Sequence, residues 1–429
     1  MSEAPHTIRY PFASALGVRD RRPHLALAEP GDDQGPRTLF EGRTTQGRRT
    51  AELLLTVGDV ASARFCGPPA APRLRDPIIT SAPECIRFEA FSLCGSVYAR
   101  ADLDPGFFAS ATFGRGTNNV DMGAPFRAAL RRLVPADELF LRVSSEQLEI
   151  EAAPGPAIER RVPLPKRWLR ALAEAQAAQA AMQLVLEVPG PSAMDFIRRL
   201  PPQGVADAAL EADGASLRLR PRGPGRILFG STRSLRLLAG LDPRSVRIYA
   251  TPEQDACAWQ LDFGPARLVL VQSSDAARGF SGEGRSLADL ALEPSSSAAA
   301  ALYWSLSSGD PVPADGARSA AAWALLAEQG LVGFDLATGR YFDRRLPFDL
   351  SESGRAPARV ASARAMLRAG AVTMDGAGAA VVHSGHAEYR VGLSANPPTC
   401  TCAWFARHRG ARGPCKHVLA AQAARRSQP

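Results

Sequence analysis

The last thirty residues place Cys400 and Cys402 one residue apart, then a twelve-residue loop, then Cys415 and His417 one residue apart. Thiolate and imidazole are the donors that structural zinc takes, and four of them in a tetrahedral shell leave no position for water or substrate. Two chelating pairs at this spacing describe a closed site for one Zn2+ that organises a fold rather than performing a reaction. Three of the seven cysteines fall within sixteen residues, and reading them as unrelated polar side chains of a surface tail leaves that clustering unexplained.

The neighbours of each ligand say how it is positioned. Asn396-Pro397-Pro398 ends a strand-like run and turns the chain toward the first pair, and Thr401 is the small residue between two convergent thiols. Beyond Pro414, the segment from Lys416 to Arg426 is Ala-rich, lacks Gly and Pro and ends in arginines, which predicts a helix. Cys415 and His417 then sit at or just before its first turn, where the positive end of the helix dipole favours a thiolate. Zn2+ with three thiolates carries a formal charge of −1. From residue 400 onward the chain offers Arg407, Arg409, Arg412, Lys416, Arg425 and Arg426 and no acid, so these six are the candidates for contact with phosphate or a protein partner. His383 and His386, flanking Gly385, read as turn or surface residues. His408, in a basic loop between the pairs, could replace His417, although C-x-H on a helix is the better chelate.

The pattern C-x-C-x(n)-C-x-H followed by a helix resembles the SWIM zinc finger. Residues Ala379 to Leu393 resemble the two short strands that lead into its metal loop, and Thr399 to Ala406 and Gly413 to Ala421 resemble its core. The resemblance covers residues 372–425 and implies one structural Zn2+ on Cys400, Cys402, Cys415 and His417. Ala403 stands where many relatives have proline, which does not touch the ligation.

A chain of 429 residues exceeds one ordinary core and predicts two to four domains. No run of about eighteen apolar residues is present, and Met1 to His6 lacks the basic start and apolar core of a signal peptide. The expectation is a cytoplasmic protein with no membrane partner, in a reducing compartment, with Cys66, Cys85, Cys94 and Cys257 as small buried apolar residues. The net charge of +8 is local: taking the six terminal cations from the 51 basic residues leaves 45 against 43 acidic. Lys166 and Lys416 are the only lysines, a preference for Arg expected of a GC-rich bacterial genome rather than a nucleic-acid signature.

The fold class expected is α+β and multidomain, with a mixed antiparallel-sheet N-terminal region, a winged-helix-like unit and the C-terminal finger. Residues 1–84 read as a partly extended N-terminal segment, and residues 85–295 as one or more α+β domains. In the latter, Phe140–Val143 and Leu148–Glu151 form a hairpin, a helix runs from Arg167 to Gln183, and short strands follow at 184–188, 216–220, 226–229, 246–250, 257–263 and 267–271. Residues 67–84 and 272–297, rich in Pro, Gly, Ser and Ala, read as linkers. Residues 298–350 predict helices at Ala298–Leu306 and Ala317–Glu328, then a hairpin around Ala337-Thr338, which looks like a winged helix. Its second helix lacks the polar side chains that read base edges, while Arg340, Arg344 and Arg345 on the wing can touch phosphate.

Asp102, Asp104, Asn118, Asn119 and Asp121, around Gly114-Arg115-Gly116-Thr117, are oxygen donors at a spacing that can hold a hard cation, but also ordinary turn and capping residues. No Walker A loop, H-E-x-x-H, G-x-S-x-G or Cys-His nucleophile arrangement is present, so the chain is not expected to be an enzyme and no catalytic or cofactor-binding residue is assigned. Five segments, Ser96–Asp104, Gly116–Asp121, Val162–Leu169, Gly279–Gly284 and Gly330–Asp335, resemble parts of bacterial SWIM zinc finger family proteins of about this length. That resemblance implies an adaptor subunit working with a MoxR-type AAA+ ATPase and von Willebrand A-domain proteins. The alternative is a protein that contacts a DNA or RNA backbone through the basic finger and winged helix; a hydrolase or other metal-dependent enzyme ranks last.

Overall fold

The computed structural model describes residues 15–19, 22–26, 37–67, 77–346 and 357–427, apart from breaks at 136, 153–154, 163, 165, 206–207, 215, 222, 224–225, 229–230, 276–277, 293–295, 310–316, 376–377 and 395–397. The fold is α+β, with antiparallel sheets throughout the described residues. At its centre lies an eight-stranded sheet in the order Gln183–Pro189, Ser245–Ala250, Ala256–Asp262, Ala266–Ser273, Val97–Leu103, Cys85–Phe91, Ile78–Ala82, Gly116–Asn119. Strands Cys85–Phe91 and Val97–Leu103 are buried at every position.

Their sequences, CIRFEAF and VYARADL, put apolar side chains on one face and charges on the other. Helix Gly47–Ser62 covers the apolar side, presenting Leu53, Leu54, Val57, Val60 and Ala61, all buried, at helical spacing. Burial of each such Leu or Val side chain contributes about 1.5–3 kcal/mol. On the other side, Glu89 lies opposite Arg100 and Arg87 opposite Asp102, with Arg267 opposite Asp102 on the next strand. Buried charge demands partners. Arg100 makes a paired contact with Asp102 at 2.8 and 3.0 Å. It also donates to the Phe334 carbonyl at 2.6 Å and to Asp335 at 3.0 Å.

Phe334 and Asp335 belong to the hairpin Val332–Asp335 and Arg340–Asp343, which closes the charged face. Arg344 follows it and pairs with Glu89 at 2.5 Å. Phe342 lies beneath the Arg87 guanidinium at 4.0 Å, with Arg100 and Arg344 beside it. Helices Ser296–Ser307 and Ala317–Glu328 precede the hairpin in the expected order, and Trp323 stacks on Tyr341 at 3.9 Å. The wing expectation changes in one respect: Arg344 is buried and faces Glu89, not phosphate. Arg345 pairs with Asp343 at 3.2 Å, and Arg340 is exposed.

A second sheet, of five strands, runs in the order Ala157–Arg160, Gln147–Glu151, Leu139–Ser144, Thr38–Thr44, Ser110–Phe113. Residues 38–62, read from sequence within the N-terminal segment, thus supply a strand and a helix to the main core. Both linker expectations are corrected. Ile78–Ala82 is a fully buried strand, and helix Arg285–Leu290 lies within 272–297; residues 68–76 of the first stretch fall outside the described residues. The Asp and Asn cluster serves the fold. Asp102 sits among arginines, Asp104 pairs with Arg267 at 3.2 Å, Asn118 donates to the Ser144 carbonyl at 2.8 Å and Asn119 to the Val162 carbonyl. The outer strand Gln183–Pro189 ends the sheet among the described residues; its register shifts between Leu184 and Leu186, and Leu184 and Val185 are about half exposed.

Helix Lys166–Ala181 packs on Ala317–Glu328, and the Glu328 Oε1 is buried without a hydrogen bond among the described residues. Burial raises this carboxyl to about 7, with Glu174 adding to the rise and Arg170 opposing it. A carboxyl whose pKa is higher folded than unfolded keeps a proton that the unfolded chain has lost. Stability therefore falls as pH rises from the unfolded value, near 4.5, through about 7. Between pH 5 and pH 8 the wild type is expected to lose roughly 2–3 kcal/mol relative to Glu328→Gln. Urea unfolding of both proteins at the two pH values checks this, and parallel curves would show that the carboxyl is solvated.

Candidate metal centre

A four-stranded sheet, Val372–Met374, Ala379–Ser384, Ala387–Gly392 and Thr399–Cys400 in sequential order, carries the first ligand. The middle hairpin turns through Gly385-His386, with Gly385 at a φ of 65°. Cys400 lies opposite Val391. Thr401 is pinned to Arg390 both ways: its N–H donates to the Arg390 carbonyl at 3.1 Å, and its hydroxyl accepts from the Arg390 N–H at 3.0 Å. That doubly held residue turns Cys402 back toward Cys400.

Cys402 caps helix Ala403–His408, its Sγ accepting from the Phe405 N–H at 3.3 Å. The helix ends at Arg409, whose φ of 45° is left-handed, and Gly410 follows at 83°. On the second pair, the Cys415 Sγ accepts from the Val418 N–H at 3.5 Å, at the start of helix Lys416–Ser427. Each chelating pair therefore contributes one sulfur, Cys402 or Cys415, that receives a backbone N–H at a helix N-terminus, an arrangement that favours the thiolate. Sequence patterning predicts the second helix and treats the first as loop. Ala403–His408 is marked only by its lack of Gly and Pro and by the Arg409-Gly410 stop.

The donor atoms of Cys400, Cys402, Cys415 and His417 all lie within 4.8 Å of one another, and all four residues are buried. Cys400 Sγ and His417 Nδ1 are 3.8 Å apart. Tetrahedral zinc with its usual bond lengths separates neighbouring donors by roughly 3.5–3.8 Å, so the donor set and the Cys400–His417 separation fit that ion. Nδ1 faces the thiols. Nε2 is buried with no hydrogen-bond partner among the described residues, and the Tyr389 ring, stacked at 4.1 Å, orients the imidazole in place of the usual carbonyl or carboxylate.

The thiols interact as a group. A hydrogen bond from Cys400, joined by ones from His417 and Val418, brings Cys415 down to about 4 against the effect of burial. As the donor, Cys400 is driven far above an ordinary thiol, and burial raises Cys402. A metal ion displaces these protons, so uptake weakens as pH falls. The SWIM zinc finger family is matched over residues 389–422. The chain carries a SWIM zinc finger. No curated protein matches the chain.

The three other histidines of the finger region lie outside the ligand group. His383 and His386 are exposed on the hairpin, and His408 packs against Trp404 at 4.7 Å. The six cations divide. Arg426 pairs with Asp289 at 2.6 Å, and Arg412 faces Glu283 at 3.8 Å. Arg407, Arg409 and Arg425 are exposed, and Lys416 is half-buried. Acids from far upstream thus supply what the finger's own segment lacks.

Those acids also show where the SWIM module is seated. Its buried side chains Val418, Leu419, Ala420, Ala421 and Ala423 share one apolar cluster with Leu287 and Leu290 of helix Arg285–Leu290 and with Val360, Ala363 and Met366 of helix Ala358–Arg368. Arg359 donates to the carbonyls of Arg412 and Pro414, both at 2.8 Å, and lies over the Trp404 ring at 5.1 Å, clamping the metal loop. Gly413, at a φ of 70°, approaches Glu283 so closely that a Cβ would stand 1.5 Å from its carbonyl oxygen. On the far side of helix Arg285–Leu290, the Glu174 carboxylate accepts from the Arg285 and Ser286 N–H groups at 2.7 and 3.1 Å. Arg359, Glu283 and Asp289 are invisible in the local motif because their partners lie tens to more than a hundred residues away.

Cys402→Ser is expected to lose zinc. Because the finger shares its core, the loss should spread beyond it. In hydrogen exchange, protection should fall across 285–290 and 358–368 as well as 372–427, while 85–103 and 256–273 stay protected. Exchange confined to 372–427 would show the finger to be an independent module, and one equivalent of zinc retained in the mutant would remove the ligand assignment.

Proposed function

We propose that this protein is a non-catalytic zinc protein that acts as an interaction subunit, its SWIM finger presenting a docking head on a larger α+β body. The observation that carries the reading is the closed donor set: four buried ligands converge on one point, which suits a structural ion and leaves no coordination position for substrate. In the same segment, Arg407, Arg409, Lys416 and Arg425 have no ion-pair partner among the described residues and add positive charge to the finger. Such a surface favours an acidic protein face or a phosphate backbone. The resemblance of the wider chain to bacterial SWIM zinc finger proteins supports a MoxR-type AAA+ ATPase and von Willebrand A-domain proteins as the partners. No helix among the described residues is long and apolar enough to cross a membrane, which accords with a cytoplasmic role.

The tagged full chain, purified from native-host extract with and without a zinc chelator, tests this reading. The ATPase should co-purify and be lost when zinc is removed or when Arg407 and Lys416 are both changed to Glu; an ATPase retained under both treatments contradicts it. The same four cations motivate the second reading, backbone contact with nucleic acid. Four phosphate contacts predict a salt slope of about −3.6, from about −0.9 per contact. Fluorescence anisotropy on a generic DNA duplex should then show affinity falling by roughly a hundredfold from 50 to 200 mM salt. Absence of binding at the lower salt removes this alternative.

A further inference from the structure

Of the four cysteines outside the finger, Cys85 and Cys257 are buried as expected, whereas Cys66 and Cys94 are only half-buried and lie side by side. Cys94 occupies the turn Ser92–Ser96 between the two central strands. Its sulfur accepts from the Phe65 N–H at 3.4 Å and has hydroxyls on both flanks, Ser96 at 3.1 Å and Ser92 at 3.5 Å. Cys66 lies just beyond the C-terminal end of helix Gly47–Ser62, and its thiol hydrogen-bonds Cys94. The backbone holds both in place: the Leu93 N–H donates to the Ala63 carbonyl at 2.9 Å, and the Val97 N–H to the Ser92 hydroxyl at 3.1 Å. A small apolar residue needs none of these donors. A sulfur surrounded by them is built to carry negative charge.

We propose that Cys94 and Cys66 form an oxidisable dithiol in which Cys94 is the site of attack on hydrogen peroxide and Cys66 resolves the product to an intramolecular disulfide. In the first step the Cys94 thiolate attacks one peroxide oxygen, the O–O bond breaks, a sulfenic acid forms and hydroxide leaves. In the second, the Cys66 sulfur attacks the Cys94 sulfur and expels hydroxide, which departs as water with the Cys66 proton. Two electrons pass from the sulfur pair to peroxide, and an added dithiol reverses the change. The protonation pattern suits these roles. Burial works to raise Cys94, but the hydrogen bonds from Ser92, Ser96 and Phe65 prevail and bring it to about 6. Burial and the neighbouring Cys94 raise Cys66 to about 11, with Arg64 opposing and Asp275 adding. One sulfur is thus a thiolate at neutral pH and the other its protonated partner.

The test uses the zinc-loaded full chain and a small excess of hydrogen peroxide, followed by tryptic digestion without reductant. Cleavage at Arg64, Arg73, Arg87 and Arg100 puts Cys66 and Cys94 on separate peptides, each apart from Cys85. The expected result is a crosslinked pair carrying Cys66 and Cys94, two thiols lost of seven, zinc still bound, and recovery with dithiothreitol. In Cys66→Ser, dimedone should label Cys94 several times faster than it labels any other cysteine. Oxidation that begins at Cys400, Cys402 or Cys415 with zinc release, or a Cys94 no more reactive than Cys85, overturns the proposal. The wild-type crosslink reads out independently of whether either variant folds.

Discussion

The neutralisation of a charged sheet face organises the C-terminal half of this molecule. Arg87 and Arg100 meet Glu89 and Asp102 in the middle of the central sheet, where water cannot solvate them, and the partly exposed Arg267 joins them from the next strand. The hairpin at 332–343 and Arg344 complete the set from above. A buried pair of this kind contributes little against an apolar replacement, yet loss of one member leaves a charge stranded at a cost of about 3–5 kcal/mol. Its value is in placement: the hairpin brings the Phe334 carbonyl, Asp335 and Arg344 to charges on the sheet face.

That seating fixes the positions of the elements packed on the hairpin. The hairpin holds helix Ala317–Glu328 through the Trp323–Tyr341 stack, and Ala324 of this helix reaches the cluster that contains the finger. Helix Arg285–Leu290 lies between, capped by Glu174 on one side and bound to Arg426 on the other. The Cys3His site therefore stands at the end of a continuous series of packed elements that begins in the central sheet.

The metal ligands are legible because chelation requires short, fixed spacings that survive in the sequence, and the helix after Cys415 follows from its Ala-rich composition. The helix pair and hairpin of 296–343 are equally plain, as are the hairpin at 139–151 and the strands from 245 to 273. The two central strands are not. Arg87, Glu89, Arg100 and Asp102 alternate with apolar residues as they would on a half-exposed sheet, and nothing local says that a hairpin 240 or so residues later covers them. The helix at 47–62 goes unmarked although its apolar spacing is regular. The proline-rich run before Ile78 conceals a buried strand. Cys66 and Cys94 show the same limit, since their contact joins a helix end to a turn and leaves no spacing signature.

One edge of the central sheet has a consequence for how the molecule behaves among its own copies. Strand Gln183–Pro189 exposes Leu184 and Val185, a combination that invites another chain to extend the sheet. The register shift between Leu184 and Leu186 interrupts the row of evenly spaced donors and acceptors there, and Pro189 removes an N–H at its end. A ninth strand arriving at this edge would find a broken template.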